Sequence, residues 1–416
     1  MLNIIESFSG IGSQAKALRN LNVEHRILAT IEWDINAIIA YDLIHNGIQD
    51  LTPYINMSKN QLVKVLEKFT LSPDGKEAYI PGVLRRLDIG LLRKILCAIE
   101  RTHDLVSITD VHSVDLPDEI DVFTYSFPCQ DLSIAGVWHG NMTGIDRDAN
   151  NRSGMLWEVE RILMERVEES RPLPKFLLME NVKNIQAPRH KGNFDEWIGY
   201  LGSIGYYNKV YCLNARDFGL PQNRERVYML SVLINDDNKN MVENYFNVHD
   251  LESDQYLEQL NIQNVTMENI LRTDYKNDIY RDEANSNQIH DTPSRRKIIE
   301  DNDKILQDGR YIEFIKTITT KQDRNPNSGV IQYQNNRDGY LNYRYLTPRE
   351  CFLAMGFDEM DFQVLKDNDF SVNKSRTFFS NSKLIKMAGN SIVVKVLEAI
   401  FTQVVEISDM IGYRHD

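Results

Sequence analysis

Two short polar segments each follow an apolar run that the sequence predicts to be a β-strand. Phe127-Pro-Cys-Gln130 follows Val122 to Tyr125, and Glu180-Asn-Val182 follows Phe176 to Met179. Parallel strands end at one edge of a sheet, where α/β proteins place their ligands, so the Cys129 thiol and the Glu180 carboxyl are expected there. Together they could carry out nucleophilic addition with proton donation. Each also has a plainer explanation: Cys129 could be a buried small apolar side chain, and Glu180 could be a helix cap.

Two further segments have spacing that suits ligand binding. Gln222-Asn-Arg-Glu-Arg226 leads into a third apolar run, and its two arginines could clamp an anion or a carbonyl, or form a solvated face. Phe8-Ser-Gly-Ile-Gly12 follows the run Leu2 to Glu6, and Glu32 closes the next run about 20 residues later, as in a nucleotide-type cofactor site with its acid on ribose. The third glycine of a dinucleotide fingerprint is missing, so a plain βα turn also fits.

Apolar or β-branched runs alternate with segments of helical periodicity along the first 234 residues. The runs are Leu2 to Glu6, Ile27 to Glu32, Leu105 to Ile108, Val122 to Tyr125, Phe176 to Met179, Lys209 to Leu213 and Val227 to Leu233. This alternation predicts an α/β fold with a doubly wound, mostly parallel sheet, which is a Rossmann-like architecture.

The chain is expected to have three parts. Residues 1–234 form the sheet domain, with a mostly helical insert at about 46–100 that contains the turn-rich Ser72-Pro-Asp-Gly75. Residues 235–343 are polar, rich in Asn and Asp and weakly periodic, which indicates a separate domain. Helical patterns return in residues 344–416, which are expected to pack back on the first domain.

Composition restricts the class of protein. The 416 residues carry a net charge of -13, which alone counts against a nucleic-acid partner. The segment from Asp236 to Asn285, however, holds twelve acidic against four basic residues, so the total charge does not exclude a local basic groove. The four cysteines form no CxxC pair, so neither a disulfide framework nor a structural metal site is expected. No secretory leader or long apolar run occurs, which predicts a cytoplasmic protein without membrane association.

Taken in order, these segments resemble the carbon-5 cytosine DNA methyltransferase family, of the bacterial or phage restriction-modification type. The similar segments are Phe8 to Gly12, Glu32-Trp-Asp34, Asp110, Phe127 to Gln130, Gly154-Met-Leu156, Glu180 to Val182, Gln222 to Arg226, Arg344 to Glu350 with Met355-Gly-Phe357, and Gly389-Asn-Ser391. An ordered set that covers both ends of the chain is highly specific. The sequence departs from the family at Ser13, where a second glycine is common, and in its unusually long insert.

The resemblance implies methyl transfer from S-adenosyl-L-methionine to carbon 5 of a cytosine flipped out of double-stranded DNA. Cys129 would add to carbon 6, and Glu180, as a carboxylic acid with a raised pKa, would supply a proton or strong hydrogen bond at N3. Arg226, with Arg224, would hold the O2 of the base. The activated ring would then take the methyl group, and neither the resemblance nor the spacing identifies the base that removes the carbon-5 proton.

The resemblance also implies a set of cofactor residues and a recognition domain. Phe8 and Trp33 would contact adenine, Glu32 the ribose and Asp110 the adenine amine, above a backbone turn opened by Gly10 and Gly12. Asn390 and Ser391 would lie near the methionine end. Residues 235–343 would read the DNA sequence, with Thr317 to Arg324 and Arg295-Arg-Lys297 offering side chains for bases or phosphates, or forming a solvated surface. A cognate restriction endonuclease is the functional partner that the family's usual setting suggests.

Three rival functions fit parts of the pattern. A transfer-RNA cytosine methyltransferase would use the same thiol and acid but usually has a Cys-Phe-Thr motif and a small recognition region, which the sequence lacks. A catalytically inactive relative would be expected to lack Cys129 or Glu180. A nicotinamide-dependent oxidoreductase would share the glycine turn without needing the Pro-Cys pair. The recognised DNA sequence cannot be predicted, because it depends on loop geometry.

Overall fold

The computed structural model describes residues 1–128, 145, 152–373 and 376–413. By its internal contacts the chain divides into two compact units. The first comprises the described residues of Met1–Leu213, Glu225–Asn261 and Leu397–Asp416. The second comprises Asn214–Arg224 and the described residues of Ile262–Val396.

A six-stranded sheet organises the first unit. In chain order, the strands of residues 1–234 that the structure describes are β1 (Leu2–Ser7), β2 (His25–Ile31), β3 (Val122–Tyr125), β4 (Phe176–Val182), β5 (Tyr206–Asn214), β6 (Gln222–Asn223) and β7 (Glu225–Leu233). The sheet has the order β2-β1-β3-β4-β7-β5. Strand β1 pairs in parallel with β2 and β3, and β3 with β4, whereas β7 runs antiparallel to β4. The predicted doubly wound, mostly parallel α/β fold is confirmed.

The described helices of this unit connect and cover the strands. They are Ser13–Asn20, Ile35–Asn46, Lys59–Leu66, Ile89–Thr102, Leu156–Glu168, Pro188–Ser203, Lys239–Val248 and Asp254–Leu257. On one face of the sheet, alternate strand residues such as Phe123 and Tyr125 pack into a core with Trp197, whose indole nitrogen donates to the Tyr125 hydroxyl at 3.1 Å. Successive side chains of a strand point to opposite faces, and the buried runs are apolar because helices cover both faces.

One predicted strand is wrong. Leu105 donates its backbone N–H to the Thr30 carbonyl of β2 at 2.9 Å, but Val106 has a φ of 67°, in the left-handed region, which breaks the extended conformation. A short 3-10 helix, Ile108–Asp110, follows directly. The apolar character of Leu105 to Ile108 therefore reflects burial without strand pairing.

The second unit is built on a small mixed sheet. Its remaining strands are β8 (Gln288–His290), β9 (Lys304–Gln307), β10 (Arg310–Tyr311), β11 (Ile315–Lys316), β12 (Val330–Gln332), β13 (Tyr340–Arg344), β14 (Ser371–Asn373) and β15 (Arg376–Thr377). Five of these strands form a sheet of order β10-β9-β12-β13-β8, and β11 pairs in parallel with β6. Its described helices are Met267–Ile270, Asp278–Ser286, Pro293–Asp301, Pro348–Ala354, Glu359–Asp367 and Asn381–Asn390. The helix Val394–Met410 begins in this unit, and from Leu397 onward it belongs to the first unit.

A buried ion pair holds the segment that follows β13. The Arg344 guanidinium donates both terminal nitrogens to the Glu350 carboxylate at 2.7 Å, and both side chains are fully buried. Glu350 also lies in a capping box with Thr347 at the start of the helix Pro348–Ala354. A bidentate pair of this kind fixes the entry of the helix, because removing either partner would leave a buried charge unpaired.

Candidate active site

Glu180 and Arg226 meet across the β4–β7 strand pair. Glu180 lies opposite Tyr228 and Val182 lies opposite Arg226 in the antiparallel register, so the acid and the arginine form a diagonal pair on one face. The Arg226 Nε lies 3.4 Å from Glu180 Oε1, and the two side chains are 16% and 12% exposed. The structure therefore brings together the predicted proton donor and one of the two predicted arginines, in a largely desolvated position.

Asn181, between Glu180 and Val182, ties this edge to the loop that leads into Cys129. Its amide nitrogen donates to the Phe127 carbonyl at 3.0 Å, and both residues are buried. Cys129 and Gln130 themselves lie outside the described residues. Sequence reasoning missed the contribution of Asn181, which fixes the main chain two residues before the predicted nucleophile and beside the Glu180 strand end.

The cysteines within the described parts of the chain are poor nucleophiles. Burial raises the pKa of Cys97 and of Cys351, and burial together with the nearby Glu225 carboxylate raises the pKa of Cys212 to about 11. A thiolate is the reactive form of cysteine, so these three side chains remain thiols near neutral pH. Among the four cysteines, Cys129 is then the remaining candidate for a covalent step.

The glycine turn after β1 has the left-handed conformation that its sequence suggests. Phe8, Gly10 and Gly12 have φ values of 55°, 56° and 78°. A Cβ on Gly10 would have open space around it, whereas one on Gly12 would lie 2.2 Å from the His45 Nε2. Gly12 is thus required for packing against the helix Ile35–Asn46, while Gly10 leaves room above the turn for a ligand. Ser13, which departs from the family pattern, is buried as the first residue of its helix.

Glu32 joins this turn to the end of β2. One carboxylate oxygen accepts from the Gly10 N–H at 3.0 Å and the other from the Asp34 N–H at 2.8 Å. Burial, with the negative charges of Asp34 and Asp104 nearby, raises the pKa of Glu32 to about 7. The predicted ribose acid is therefore held beside the glycine turn, where its protonated form is favoured relative to that of an exposed glutamate.

Asp104, which the sequence pattern did not single out, lies beside Glu32. Its Oδ1 accepts from the Glu32 N–H at 3.1 Å and from the Val106 N–H at 2.8 Å, and burial raises its pKa to about 7. Asp110 is instead exposed at the end of a 3-10 helix, where its carboxylate accepts from the Thr109 hydroxyl. The geometry favours Asp104, and the signal that could have identified it is its place directly before the apolar Leu105.

The two aromatic residues predicted to contact adenine, Phe8 and Trp33, are both half-buried. Phe8 is half-buried and packs partly against the core of the sheet, and its carbonyl accepts from the Ser126 hydroxyl at 3.4 Å. Trp33 is half-buried between Glu32 and Asp34.

Among the described residues, no group of three or more His, Cys, Asp or Glu side chains could hold a metal ion.

Arg224 is placed differently from Arg226. In the second unit, its nearly buried guanidinium donates to the carbonyls of Ile318 at 3.0 Å, Gly389 at 3.1 Å and Ser391 at 2.9 Å. An arginine engaged by three carbonyls is suited to holding segments together, which favours a positioning role over the predicted contact with a base. The Ser391 hydroxyl likewise donates within the chain, to Met387, whereas Asn390 is exposed.

The segment Thr317 to Arg324 divides into anchored and exposed side chains. Gln322 is fully buried, and its amide contacts the backbone of Ser328 and Gly329, so this side chain is neither part of a solvated surface nor free to contact DNA. The Thr317 hydroxyl donates to the Asn223 carbonyl at 2.9 Å. Lys321 and Arg324 are exposed. A Cβ on Gly389 would lie 2.6 Å from the backbone of Thr319 and Thr320, so glycine is needed where these segments touch.

Comparison with known proteins decides the family. The profile described as C-5 cytosine-specific DNA methylase matches residues 92–406. The chain belongs to this family. It is 33% identical to the type II methyltransferase M2.ScrFI of Lactococcus lactis subsp. cremoris, over 97% of this chain and 99% of that protein. It is 32% identical to the orphan methyltransferase M.SssI of Spiroplasma monobiae, over 97% of each chain. The predicted membership in the carbon-5 cytosine DNA methyltransferases is thereby confirmed.

Solved structures support the fold. The crystal structure of the S. pombe Dnmt2 methyltransferase superimposes with a TM-score of 0.58 and 17% identity, over 98% of this chain and 99% of that one. An Entamoeba histolytica methyltransferase, EhMeth, gives a TM-score of 0.52 at 17% identity, over 98% of both chains. No helix in the described residues is long and apolar enough to cross a membrane.

Proposed function

We propose that this member of the family transfers a methyl group from S-adenosyl-L-methionine to carbon 5 of cytosine in a specific double-stranded DNA sequence. The base would be flipped out of the duplex and bound covalently by Cys129. The observation that carries the proposal is the Glu180–Arg226 pair at the β4–β7 edge, next to an Asn181 side chain that holds the loop leading into Cys129. An acid and a cation at one sheet edge, beside a main chain that is held as far as Phe127, suit this addition chemistry.

Carbon 5 of cytosine is a weak nucleophile, so the ring must first be activated. The Cys129 thiolate adds to carbon 6, and the electron pair displaced from the 5,6 double bond moves into the ring toward N3. Glu180 donates a proton or a strong hydrogen bond to N3, while Arg226 stabilises the charge that develops at O2. The largely buried position of both side chains strengthens these interactions, because little water competes with the base.

Bound S-adenosyl-L-methionine supplies an electrophilic methyl group for the activated carbon 5. The carbon-5 proton then passes to a base, and the bond between carbon 6 and the Cys129 sulfur breaks. The 5,6 double bond is restored, any proton that N3 received returns to Glu180, and Cys129 leaves as a thiolate ready for another cycle. The residues of the chain thus activate, orient and release the base.

The proposed cofactor site is the carboxyl edge of β1 and β2. Glu32 would bind the ribose and Gly10 would allow the cofactor to approach the backbone, with Gly12 required for the turn itself. Phe8 and Trp33 would contact adenine, and Asp104 replaces Asp110 as the proposed partner of the adenine amine. Asn390 and Ser391 remain proposed for the methionine end. The open space around Gly10 and the anchored Glu32 carboxylate fit an adenosyl group.

We expect Asp104→Asn and Asp110→Asn to have different effects on cofactor binding. Asp104→Asn replaces one carboxylate oxygen by an NH2 group, which cannot accept from the adenine amine, and should weaken S-adenosylhomocysteine binding by about tenfold, a loss of ~1.4 kcal/mol. Asp110→Asn should leave the dissociation constant within about twofold, because this side chain is exposed. Isothermal titration calorimetry without DNA measures both variants. A larger loss for Asp110→Asn would restore the original assignment.

We further propose a recognition part at residues 235–343, with residues 344–416 completing the catalytic part. Exposed Lys321 and Arg324 in the second unit are suited to phosphate contacts. The two relatives carry the names type II and orphan methyltransferase. We propose that this enzyme protects cytoplasmic DNA against a cognate restriction endonuclease, which would be a functional partner.

Bisulfite sequencing of a host genome that expresses the chain tests the function directly. Methylated cytosines resist conversion, so we expect complete protection within one short sequence and background conversion elsewhere. The same DNA should resist cleavage by an endonuclease that recognises that sequence, which tests the protective role. Unprotected DNA together with cytosine methylation in cellular RNA would contradict the proposed substrate.

A further inference from the structure

One turn of the helical insert lies against the cofactor edge of the first unit. The backbone N–H of Ser72 donates to the Trp33 carbonyl at 2.8 Å, and the Ser72 carbonyl accepts from the Ile35 N–H at 3.0 Å. These two bonds form an isolated parallel bridge between Ser72 and Asp34. The insert therefore holds the main chain on both sides of Asp34, directly after the cofactor acid Glu32.

The turn Ser72-Pro-Asp-Gly75 is closed by its own side chains. Ser72 is fully buried, and its hydroxyl accepts from the Gly75 N–H at 2.9 Å while donating to the Glu77 carbonyl at 2.6 Å. The Pro73 carbonyl accepts from the Asn36 amide at 2.8 Å. A turn with its polar groups satisfied in this way is preorganised, so it can act as a fixed wall.

Gly75 brings the turn into direct contact with Asp34. Its φ is 66°, and a Cβ there would lie 3.1 Å from Asp34 Oδ2 and 3.3 Å from Asp34 Cβ. Asp34 cannot easily give way, because its side chain caps the helix Ile35–Asn46 by accepting from the Asn36 N–H at 2.9 Å. Crowding at Gly75 would thus be transmitted to the Trp33–Asp34 backbone.

We propose that the turn Ser72-Pro-Asp-Gly75 is a positioning element of the cofactor site that sets the affinity for the adenosyl group. This inference rests on the proposed binding of the cofactor by Glu32 and Trp33. Trp33 lies between two anchored neighbours: Glu32, which binds the Gly10 N–H, and Asp34, which is bridged to Ser72. Fixing this backbone before binding lowers the ordering cost that the cofactor would otherwise have to offset. The sequence pattern assigns the insert no function, and the proposal gives it one: the insert would complete the adenine side of the site.

A matched pair of glycine substitutions tests the inference. Gly82, in the same insert, also has a positive φ of 81°, but a Cβ there would meet nothing within 4 Å. Gly75→Ala and Gly82→Ala therefore share the backbone strain and differ in the contact with Asp34. We expect Gly75→Ala to weaken S-adenosylhomocysteine binding by about tenfold, and Gly82→Ala by less than about twofold. Calorimetry without DNA gives the dissociation constants, and thermal unfolding shows whether the two strain costs match.

Steady-state kinetics separate positioning from general damage. Gly75→Ala should raise the KM for S-adenosylmethionine, with the KM for DNA and kcat nearly unchanged, which a global loss of structure would not produce. Ser72→Ala, which removes the hydroxyl that closes the turn, should show the same split. Ser58→Ala is its control, because Ser58 caps the insert helix Lys59–Leu66 by accepting from the Gln61 N–H. If Gly75→Ala does not fold, the Ser72 and Ser58 variants decide the question.

A further variant separates failure of this inference from failure of the proposed function. Glu32→Ala should weaken S-adenosylhomocysteine severely if the cofactor site is correct. If Glu32→Ala binds normally, the proposed cofactor site itself is wrong. If Glu32→Ala loses binding while Gly75→Ala binds as Gly82→Ala does, and Ser72→Ala as Ser58→Ala does, the role of the turn is overturned and the cofactor site stands.

Discussion

Cys129→Ala is expected to abolish methyl transfer to DNA, with a loss of at least about 10⁴-fold in kcat. Without the thiolate nothing adds to carbon 6, and carbon 5 remains too weakly nucleophilic to take a methyl group. Transfer of tritium from labelled cofactor into DNA measures the loss. The dissociation constant for DNA should stay within about threefold, because truncating one small side chain leaves the phosphate contacts in place.

Cys212→Ala is the matched control for the loss of a thiol. Cys212 is only partly buried and lies in the first unit, but its pKa of about 11 keeps it protonated at neutral pH, so activity should be retained. DNA with 5-fluorocytosine at the target gives a second measurement. Fluorine cannot leave carbon 5 as a proton does, so the covalent adduct should persist for the wild type and for Cys212→Ala. An adduct formed by Cys129→Ala would contradict the assigned nucleophile.

The main sheet could be predicted because its strands are buried on both faces and therefore form continuous apolar runs. Six of the seven predicted runs are strands, and their ends differ from the predicted ones by at most three residues. The exception, Leu105 to Ile108, is equally apolar, but the positive φ of Val106 interrupts it. Apolar patterning reports burial, and it cannot show that a backbone turns within a buried run.

The candidate site was predictable to the extent that its residues lie at strand ends. The Glu180 prediction assumed a strand that ended at Met179, whereas β4 continues to Val182, and the structure adds a contact with Arg226 that follows from the antiparallel register with β7. The contacts that sequence reasoning missed join distant segments, such as Asp104 with the Glu32 N–H and Ser72 with Trp33. Such contacts depend on how loops cross the sheet edge, which local spacing does not encode.

Arg224 and Arg226 show the same limit within a single motif. Both have the same residue type and lie two positions apart, yet Arg226 faces Glu180 whereas Arg224 binds the carbonyls of Ile318, Gly389 and Ser391. The spacing of the motif identified two cationic side chains, but it did not show which groups each of them contacts. Their partners lie about 45 to 170 residues away in the chain, so only the folded structure separates a positioning arginine from a candidate binding arginine.

Glu180→Gln is expected to lower kcat by about 10³-fold, within the range usual for loss of a general acid. Glutamine has almost the same shape as glutamic acid and can still contact Arg226, but it cannot give a proton to N3. Addition of the Cys129 thiolate therefore leaves a negative charge on the ring that no proton neutralises. Single-turnover methyl transfer measures the effect on the chemical step. The melting temperature should fall by only a few degrees, because the side chain remains in place.

Glu225→Gln provides the same chemical change in a neighbouring ion pair. Glu225 binds Lys183 at 2.9 Å, and these side chains are 42% and 62% exposed, so the pair is screened by water. Its loss should leave kcat within about twofold. Exchange of the carbon-5 proton with solvent should disappear in Glu180→Gln and persist in Glu225→Gln, because exchange requires the same thiolate addition. A Glu180→Gln enzyme that still exchanged this proton at the wild-type rate would show that activation of the ring does not depend on the acid, and the partly buried Arg226 would then be the group that makes addition possible.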